Sequence, residues 1–535
     1  MNGPELQDAA RTSSELQDAA RTSSELRRFT LLAVAGTLLM VLMQFGVVPA
    51  GMLSTPAGGL ILMTPLFLFA LRHGNRRPVL LFWFMLVVLA VVPHSSVDPE
   101  IREVGTAVGG GFSLFTRYFG GVLNLWEVLL AITLLFMLLH YFGRNREAGR
   151  LQLRGGLPFV IFTALILVAI ANGLLRISLF AWGTGTPRNV IQSSLPAVYL
   201  ILSFLLVGQV VRNSVDWRET ALLVVKVGVG LVLLTGVVRF IGIMTGQVST
   251  LWHWGLPIVI YDQMIWCYFP IVLLFVTCWL ERFRLRLFLP ALLGLIFILL
   301  STRRLDYLYI PMVIIAALFL VPVRSTAGGG RALPGPLLLM WRTRGVVVAL
   351  GVLVAGVIFI APAISEGVLN AIRSLNVVEY GSSFGGSVRL TEVENLFLNL
   401  EYRPLTYVYG YGLGVPWKAI QPIAYGAFSF TEGVLREGSG WYPQFHIPYF
   451  SQLYRFGVGG WLVMMGTVLM IFLRHRRIIA RALPRDRLLL LPLAATVPIV
   501  LAGIGDSVNS YPYVLIGAAW GLLEAHPAVC RGGDR

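Results

Sequence analysis

Long apolar runs, separated by short segments that carry most of the arginines, dominate the pattern of this chain. A membrane-spanning helix needs about 20 mostly apolar residues. About fourteen runs approach or reach that length. They are centred near residues 38, 64, 86, 132, 165, 200, 231, 268, 294, 314, 353, 462, 495 and 517. The pattern therefore predicts an all-α polytopic membrane protein with about fourteen transmembrane helices.

The composition supports the same class. Of 535 residues, 56% are hydrophobic and only 13% are charged, whereas soluble domains carry about 25% charged residues. A soluble globular protein and a disordered chain are both excluded on this ground. The net charge of +16 would suggest nucleic acid in a soluble protein. In a membrane protein it is explained by basic cytoplasmic loops, so no nucleic-acid partner is predicted.

The arginine-rich loops predict the orientation of the chain. With about fourteen spans, all of them fall on the side of Arg27-Arg28, which is the cytoplasm by the positive-inside rule. Both termini are then cytoplasmic. The three cysteines are too few for a disulfide framework and are interpreted as free thiols. The loops concerned are Arg72–Arg77, Arg144–Arg154, Arg212–Arg218, Arg282–Arg286, Arg324–Arg344 and Arg474–Arg487.

Five regions follow from this topology. Residues 1–28 form a polar cytoplasmic tail with a tandem ten-residue repeat, ELQDAARTSS, and residues 29–363 form a transmembrane bundle. Residues 364–450 form a large, Gly-rich and aromatic loop on the external face, which is too long for a simple connector. Residues 451–525 supply the C-terminal transmembrane helices, and residues 526–535 a cytoplasmic tail. We expect function to reside in the external loop.

Several arginines lie at the predicted outer face, where they are costly unless paired or facing a cavity. Arg303 and Arg304, in the run STRRLDYLY, are the most notable, because two guanidinium groups can hold a diphosphate. Pairing with Asp306 is the alternative, but one acid cannot neutralise two arginines. The full set is Arg176, Arg188, Arg239, Arg303, Arg304, Arg373, Arg389, Arg403, Arg436 and Arg455.

Arg389 begins a second candidate segment, RLTEVENLFLNL. Its spacing predicts a helix with Ser387 as N-cap and Arg389 on or beside the apolar face. Glu392 and Glu394 on the flanks are the alternative partners of this arginine. The predicted apolar stripe consists of Val393, Leu396, Phe397 and Leu400.

His446 stands at the boundary between the external loop and the next helix. Nearby cations should lower its pKa and leave the imidazole neutral, so that it is available as a general base. A structural histidine is the alternative. The Gly410, Gly412 and Gly414 run lacks a surrounding strand–turn–helix unit, so it is interpreted as a close-packed loop. The loop aromatics, which include Trp417 and Trp441, suit sugar stacking, an interfacial belt or loop packing equally.

The external loop and the start of the following helix carry a recognisable combination of motifs. They are R-x(14)-P-L-x(4)-G-x-G-x-G and H-x-x-Y-F-x-x-L-x-x-x-G-x-x-G, with the STRR run upstream. This combination resembles the signature region of the O-antigen ligase/polymerase superfamily of bacterial envelope glycosyltransferases, over roughly residues 290–470. The signature residues are Arg389, Pro404, Leu405, Gly410, Gly412, Gly414, His446, Tyr449, Leu453, Gly457 and Gly460.

The resemblance implies a GT-C-like protein of the bacterial inner membrane that acts at the periplasmic face without a metal or other cofactor. Arg303 or Arg304, together with Arg389, would bind the diphosphate of an undecaprenyl-diphosphate-linked oligosaccharide, and His446 would deprotonate the acceptor hydroxyl. A polysaccharide or O-antigen polymerase is slightly favoured. A ligase that transfers the glycan to lipid A core is the first alternative, and a flippase or transporter of lipid-linked glycans is the second. Membrane lipids and a chain-length regulator are further candidate partners.

Overall fold

The computed structural model describes chiefly residues 156–180, 185–214, 285–300, 384–401, 403–421, 441–442, 448–494 and 511–526, with short pieces and single positions elsewhere. These residues are mostly helical. The helices are α1 (Gly156–Phe180), α2 (Pro187–Ser214), α3 (Leu285–Leu300), α4 (Phe384–Glu401), α5 (Thr406–Tyr409), α6 (Pro448–Arg481), α7 (Pro484–Ala494) and α8 (Tyr511–Glu524).

The described strands are two residues long and form three antiparallel pairs. They are β1 (Tyr118–Phe119) with β2 (Leu123–Asn124), β3 (Trp252–His253) with β4 (Leu256–Pro257), and β5 (Trp417–Lys418) with β6 (Trp441–Tyr442). In the third pair Trp417 lies opposite Tyr442, and Lys418 lies opposite Trp441. This pairing joins two distant parts of the long Gly-rich segment.

Three of the described helices are long and apolar enough to cross a membrane: Gly156–Leu179, Pro187–Gly208 and Phe450–Arg481. They coincide with the runs predicted near residues 165, 200 and 462. Helices α3 and α8 also lie at predicted positions, but they have only 16 and 14 residues. The described part of the chain is thus that of a helical membrane protein. Most of the other predicted spans fall outside the described residues.

Helix α8 packs against α2 through glycines. A Cβ atom at Gly517 would lie 2.2 Å from the carbonyl oxygen of Leu200, and one at Gly521 would lie 2.8 Å from the amide nitrogen of Gly208. The contacts advance along both helices in the same direction, so the two helices are parallel. Glycines spaced by four residues permit such close backbone approach in membrane helix pairs.

Charged contacts gather at one end of the bundle. Arg474 near the end of α6 forms a two-pronged ion pair with Glu524 of α8, with N···O distances of 2.5 and 2.8 Å. Arg218 pairs with Asp486 at 2.9 Å. The first residue of α1, Gly156, lies beside the Arg474 guanidinium. The loops predicted as arginine-rich at Arg212–Arg218 and Arg474–Arg487 therefore share one end of the bundle.

Arg487 closes the end of α6. Its Nε donates to the carbonyl oxygens of Ile479 and Ala482 at 3.1 Å each, and its Nη2 donates to that of Ala480 at 3.0 Å. The last carbonyls of a helix lack intrahelical partners and carry partial negative charge, so a cation stabilises them. This contact fixes the turn from α6 into α7.

The opposite end holds the packed core around α4. The buried side chains include Leu396 and Leu400 of α4 together with Val190 of α2, and Trp417 and Tyr454 pack with them. The end of α1, the start of α2, the first part of α6 and the segment after α4 therefore share one apolar core.

Helix α4 confirms part of its sequence prediction and corrects the rest. Leu396 and Leu400 are buried as expected, but Phe397 is 43% exposed. Glu392, expected on the flank, is buried instead. Ser387 is not the N-cap, because the helix begins three residues earlier at Phe384. Polar side chains of α4 that satisfy a neighbouring chain segment occupy the buried face, which an apolar-only pattern does not anticipate.

Candidate functional site

The glycine loop, residues 410–416, is an irregular chain segment that lies between α5 and β5. Gly412 has φ of +94°, and a Cβ atom there would lie 2.2 Å from the amide nitrogen of Gly173 in α1. A side chain is excluded both by backbone conformation and by space. The interpretation of this run as a close-packed loop is confirmed.

A break in α6 receives the glycine loop. Gly457 has φ of +69° and ψ of 175°, which interrupts the helix. The carbonyl oxygens of Tyr454 and Arg455 instead accept hydrogen bonds from the amides of Tyr411 and Gly412, both at 2.9 Å. The hydrogen bonds of the broken helix are thus replaced by those of the loop.

The two halves of the sequence signature meet at this break. A Cβ atom at Gly410 would lie 2.4 Å from the amide nitrogen of Gly457, although 46 positions separate the two residues in the chain. The glycine loop therefore fits against α6 only where the helix is interrupted, and the interrupted helix receives its missing hydrogen bonds from the loop.

Helix α1 also forms hydrogen bonds with the backbone of the glycine loop. The amide of Leu413 donates to the carbonyl oxygen of Ala169 at 3.0 Å, and Asn172 Nδ2 donates to the carbonyl oxygen of Gly410 at 3.1 Å. Buried irregular backbone needs hydrogen-bond partners for its amide and carbonyl groups. The glycine loop meets that requirement at each of these positions.

Two asparagines on one face of α4 hold the chain that follows the glycine loop. Asn395 Oδ1 accepts from the amides of Ile420 and Gln421 at 2.6 and 2.8 Å. Asn399 donates to the carbonyl oxygen of Lys418 at 2.6 Å and accepts from its amide at 3.1 Å. Each side-chain amide thus forms hydrogen bonds with backbone groups of this segment, as a neighbouring strand would. This arrangement ties α4, which contains Arg389, to the glycine loop.

Arg176, near the end of α1, is one of the two buried arginines described in this region: it is 5% exposed, and Arg455 of α6 is 1% exposed. The Nε of Arg176 donates to Asn172 Oδ1 at 3.3 Å, and its Nη2 reaches the Tyr409 hydroxyl at 3.5 Å. The guanidinium carbon lies 4.8 Å from the ring centre of Tyr411 and 5.6 Å from that of Tyr409. Within the described part of the chain, no carboxylate forms an ion pair with Arg176.

Of the four predicted site residues, Arg303, Arg304 and His446 lie outside the described residues. Arg389 belongs to α4, and its side chain is likewise outside the described set. The structure does bring together the helix that contains Arg389, α4, and the start of the helix that follows His446, α6. These two elements pack in the same core. No group of three or more His, Cys, Asp or Glu side chains within the described ranges could hold a metal ion.

Trp417 resolves one alternative left open by the sequence. Its side chain is 1% exposed within the core around α4, so it serves loop packing and not sugar stacking.

The structure also reveals features that sequence reasoning missed. The asparagine pair could have been recognised as two amides one turn apart beside buried leucines. The tyrosines around Arg176 are more than 230 residues away in sequence and gave no such signal.

Two of the described titratable groups outside the spans have pKa values that differ from the ordinary ones. Burial, followed by the nearby Glu401 carboxylate, raises the pKa of Tyr407, so its phenol stays neutral. At the opposite end, burial lowers the pKa of His526, and the Asp486 carboxylate partly offsets this effect. His526 Nε2 lies 3.7 Å from Asp486 Oδ2, and its ring stands edge-on to Trp217 at 4.5 Å.

No protein-family model matches this chain, and a search of curated proteins finds no match.

Proposed function

We propose that this chain is an integral-membrane glycosyltransferase of the bacterial inner membrane. It moves an oligosaccharide from undecaprenyl diphosphate to a hydroxyl group of a glycan acceptor at the periplasmic face. The observation that carries the proposal is the interlock of Gly410 and Gly412 with the break at Gly457. These glycines are signature positions of the O-antigen ligase/polymerase resemblance, and a degenerate motif acquires weight when its separated parts are in contact.

The packing around α4 adds support. Arg389 lies on α4, and His446 precedes α6 by two positions. Leu396 and Leu400 of α4 share a core with Tyr454 of α6. The chain elements that would deliver a diphosphate-binding arginine and a general base are therefore neighbours.

The chemistry needs no metal. His446 takes the proton from the acceptor hydroxyl as its oxygen attacks the anomeric carbon of the donor sugar. The bond between that carbon and the diphosphate oxygen breaks, and undecaprenyl diphosphate leaves. Arg389, with Arg303 or Arg304, stabilises the charge that develops on the leaving group.

The proposal includes a GT-C-like bundle of about fourteen helices, with residues 364–450 in the periplasm and both termini in the cytoplasm. The gathering of the Arg218 and Arg474 segments at one end of the bundle supports this topology. The glycine loop packs against the second half of α1, away from Gly156, and this position is consistent with an external site.

The acceptor distinguishes the two forms of the proposal. In a polymerase it is another lipid-linked repeat unit, and in a ligase it is lipid A core. Both reactions share the donor and the site. The glycan length profile of a deletion strain tests the choice: loss of long chains with retained single units indicates a polymerase, and loss of all attached glycan indicates a ligase.

Substitutions Arg303→Gln, Arg389→Gln and His446→Ala in the native host test the activity itself. We expect each variant to accumulate lipid-linked donor on the outer leaflet, because the donor is delivered but not consumed. Gly466→Ala is the matched control, since Gly466 is exposed on α6 with nothing within 4 Å of an added Cβ. Accumulation on the inner leaflet would contradict the proposal and favour a flippase.

A further inference from the structure

Arg176 carries a charge that its described surroundings do not neutralise. Its hydrogen bonds reach only an amide oxygen and a phenol, and its remaining contacts are two aromatic rings. A buried charge is stable only when it is paired and hydrogen-bonded, and ring contacts offset only a part of the desolvation cost. Among the described residues, no anion accompanies Arg176 at this site.

One nitrogen of the Arg176 guanidinium has no hydrogen-bond partner among the described residues. Its Nε and Nη2 atoms contact Asn172 and Tyr409, whereas Nη1 makes no hydrogen bond to a described group and is not among the fully enclosed polar atoms. The rings of Tyr409 and Tyr411 lie beside the group, with their centres 5.6 and 4.8 Å from the guanidinium carbon. A fixed planar edge with free N–H donors matches the oxygens of a phosphate group.

The position of Arg176 along α1 indicates which source of phosphate groups it could meet. It lies three residues before the end of the spanning segment Gly156–Leu179, which is less than one helical turn. The phosphates of membrane lipids lie at this level, just outside the hydrocarbon core.

We infer that Arg176 binds the phosphate group of a lipid beside the glycine loop. The inference rests on the proposed function only for the identity of that lipid, which for a glycosyltransferase is undecaprenyl diphosphate. Tyr409 and Tyr411 orient the arginine, so that an ordered glycine loop is a condition of binding.

The test is lipid binding to the purified chain in phosphatidylcholine nanodiscs, measured by native mass spectrometry. Undecaprenyl diphosphate and phosphatidylglycerol are the two probes. We expect Arg176→Gln to raise the Kd by about tenfold to a hundredfold, as loss of a charge-assisted hydrogen bond does. Arg176→Lys keeps the charge without the fork and should give a smaller rise. Arg188→Gln is the matched control, because Arg188 is an exposed arginine at the same end of the bundle.

The two probes separate the lipid sources. An effect on undecaprenyl diphosphate alone supports a donor site, and an equal effect on both supports a phospholipid headgroup site. An unchanged Kd for both probes in a folded Arg176→Gln variant overturns the inference and leaves Arg176 as a clamp for the glycine loop. Binding that depends on Arg176 in a protein without transferase activity would refute the proposed function but not this inference.

Hydrogen–deuterium exchange of the wild-type chain keeps the test open should both Arg176 variants misfold. Undecaprenyl diphosphate should protect peptides from residues 172–179 and 406–414. Protection confined to other peptides would contradict the inference.

Discussion

At the scale of the residue, Gly412 is among the most closely packed positions of the described chain, with room at its Cα for a hydrogen atom but not for a methyl group. We predict that Gly412→Ala lowers the free energy of unfolding by about 2–5 kcal/mol, since it adds a methyl group against Gly173 and imposes a left-handed conformation on alanine. Thermal unfolding in detergent measures the loss. Gly466→Ala should stay within about 1 kcal/mol of wild type. Similar unfolding of both variants would contradict the loop packing described above.

His526 predicts a pH dependence of stability. Its pKa in the folded chain lies below the ordinary value of 6.5, chiefly because of burial. As the pH falls below 6.5, the imidazole of the unfolded chain takes up a proton before that of the folded chain does. The stability contributed by the neutral His526 is therefore complete above pH 6.5 and is lost as the pH falls through the folded-state pKa. Unfolding temperatures at about pH 7.5 and 5.5 should differ less in His526→Gln than in wild type. Equal differences would refute this assignment.

At the scale of elements, α4 holds the chain segment that follows the glycine loop through the side-chain amides of Asn395 and Asn399. Asn395→Ala would leave the amides of Ile420 and Gln421 without their acceptor, and a buried unsatisfied group costs about 1–3 kcal/mol. We expect a loss of at least about 2 kcal/mol by denaturant unfolding. Glu394→Ala, an exposed change on the same helix, should alter stability by less than about 0.5 kcal/mol. A neutral Asn395→Ala would contradict this role for α4.

The same helix shows what a sequence can predict. Periodicity identified α4 and the burial of Leu396 and Leu400, because local spacing determines a helical face. It failed at Phe397 and Ser387, since the packing partner and the helix start depend on distant segments. The glycine run was recognisable from composition. Its contacts with Gly173 and Gly457 were not, because no local signal records which helices a loop will meet.

At the scale of the whole molecule, the described helices have two chemically different ends. Arg474, Arg218 and Asp486 mark one end, and the glycine loop marks the other. The arginine-rich loops predict that the end with Arg474 faces the cytoplasm and that the end with the glycine loop faces outward.

Sidedness is testable with single cysteines, after Cys267, Cys278 and Cys530 are changed to serine. Ile420 is 47% exposed near the glycine loop, and Arg481 is exposed at the arginine-rich end. An impermeant maleimide applied to intact cells should label Ile420→Cys and spare Arg481→Cys until the membrane is opened. Labelling of both, or of Arg481→Cys alone, would contradict the predicted orientation.

The most direct test of the glycosyltransferase assignment is transfer by the purified chain in proteoliposomes that contain an undecaprenyl-diphosphate oligosaccharide and its acceptor. We predict release of undecaprenyl diphosphate together with a lengthened glycan, and a rate at least about a hundredfold lower in His446→Ala, as expected for loss of a general base. Gly466→Ala should retain the wild-type rate. Absence of undecaprenyl diphosphate release by the wild-type chain, or an undiminished rate in His446→Ala, would contradict the account.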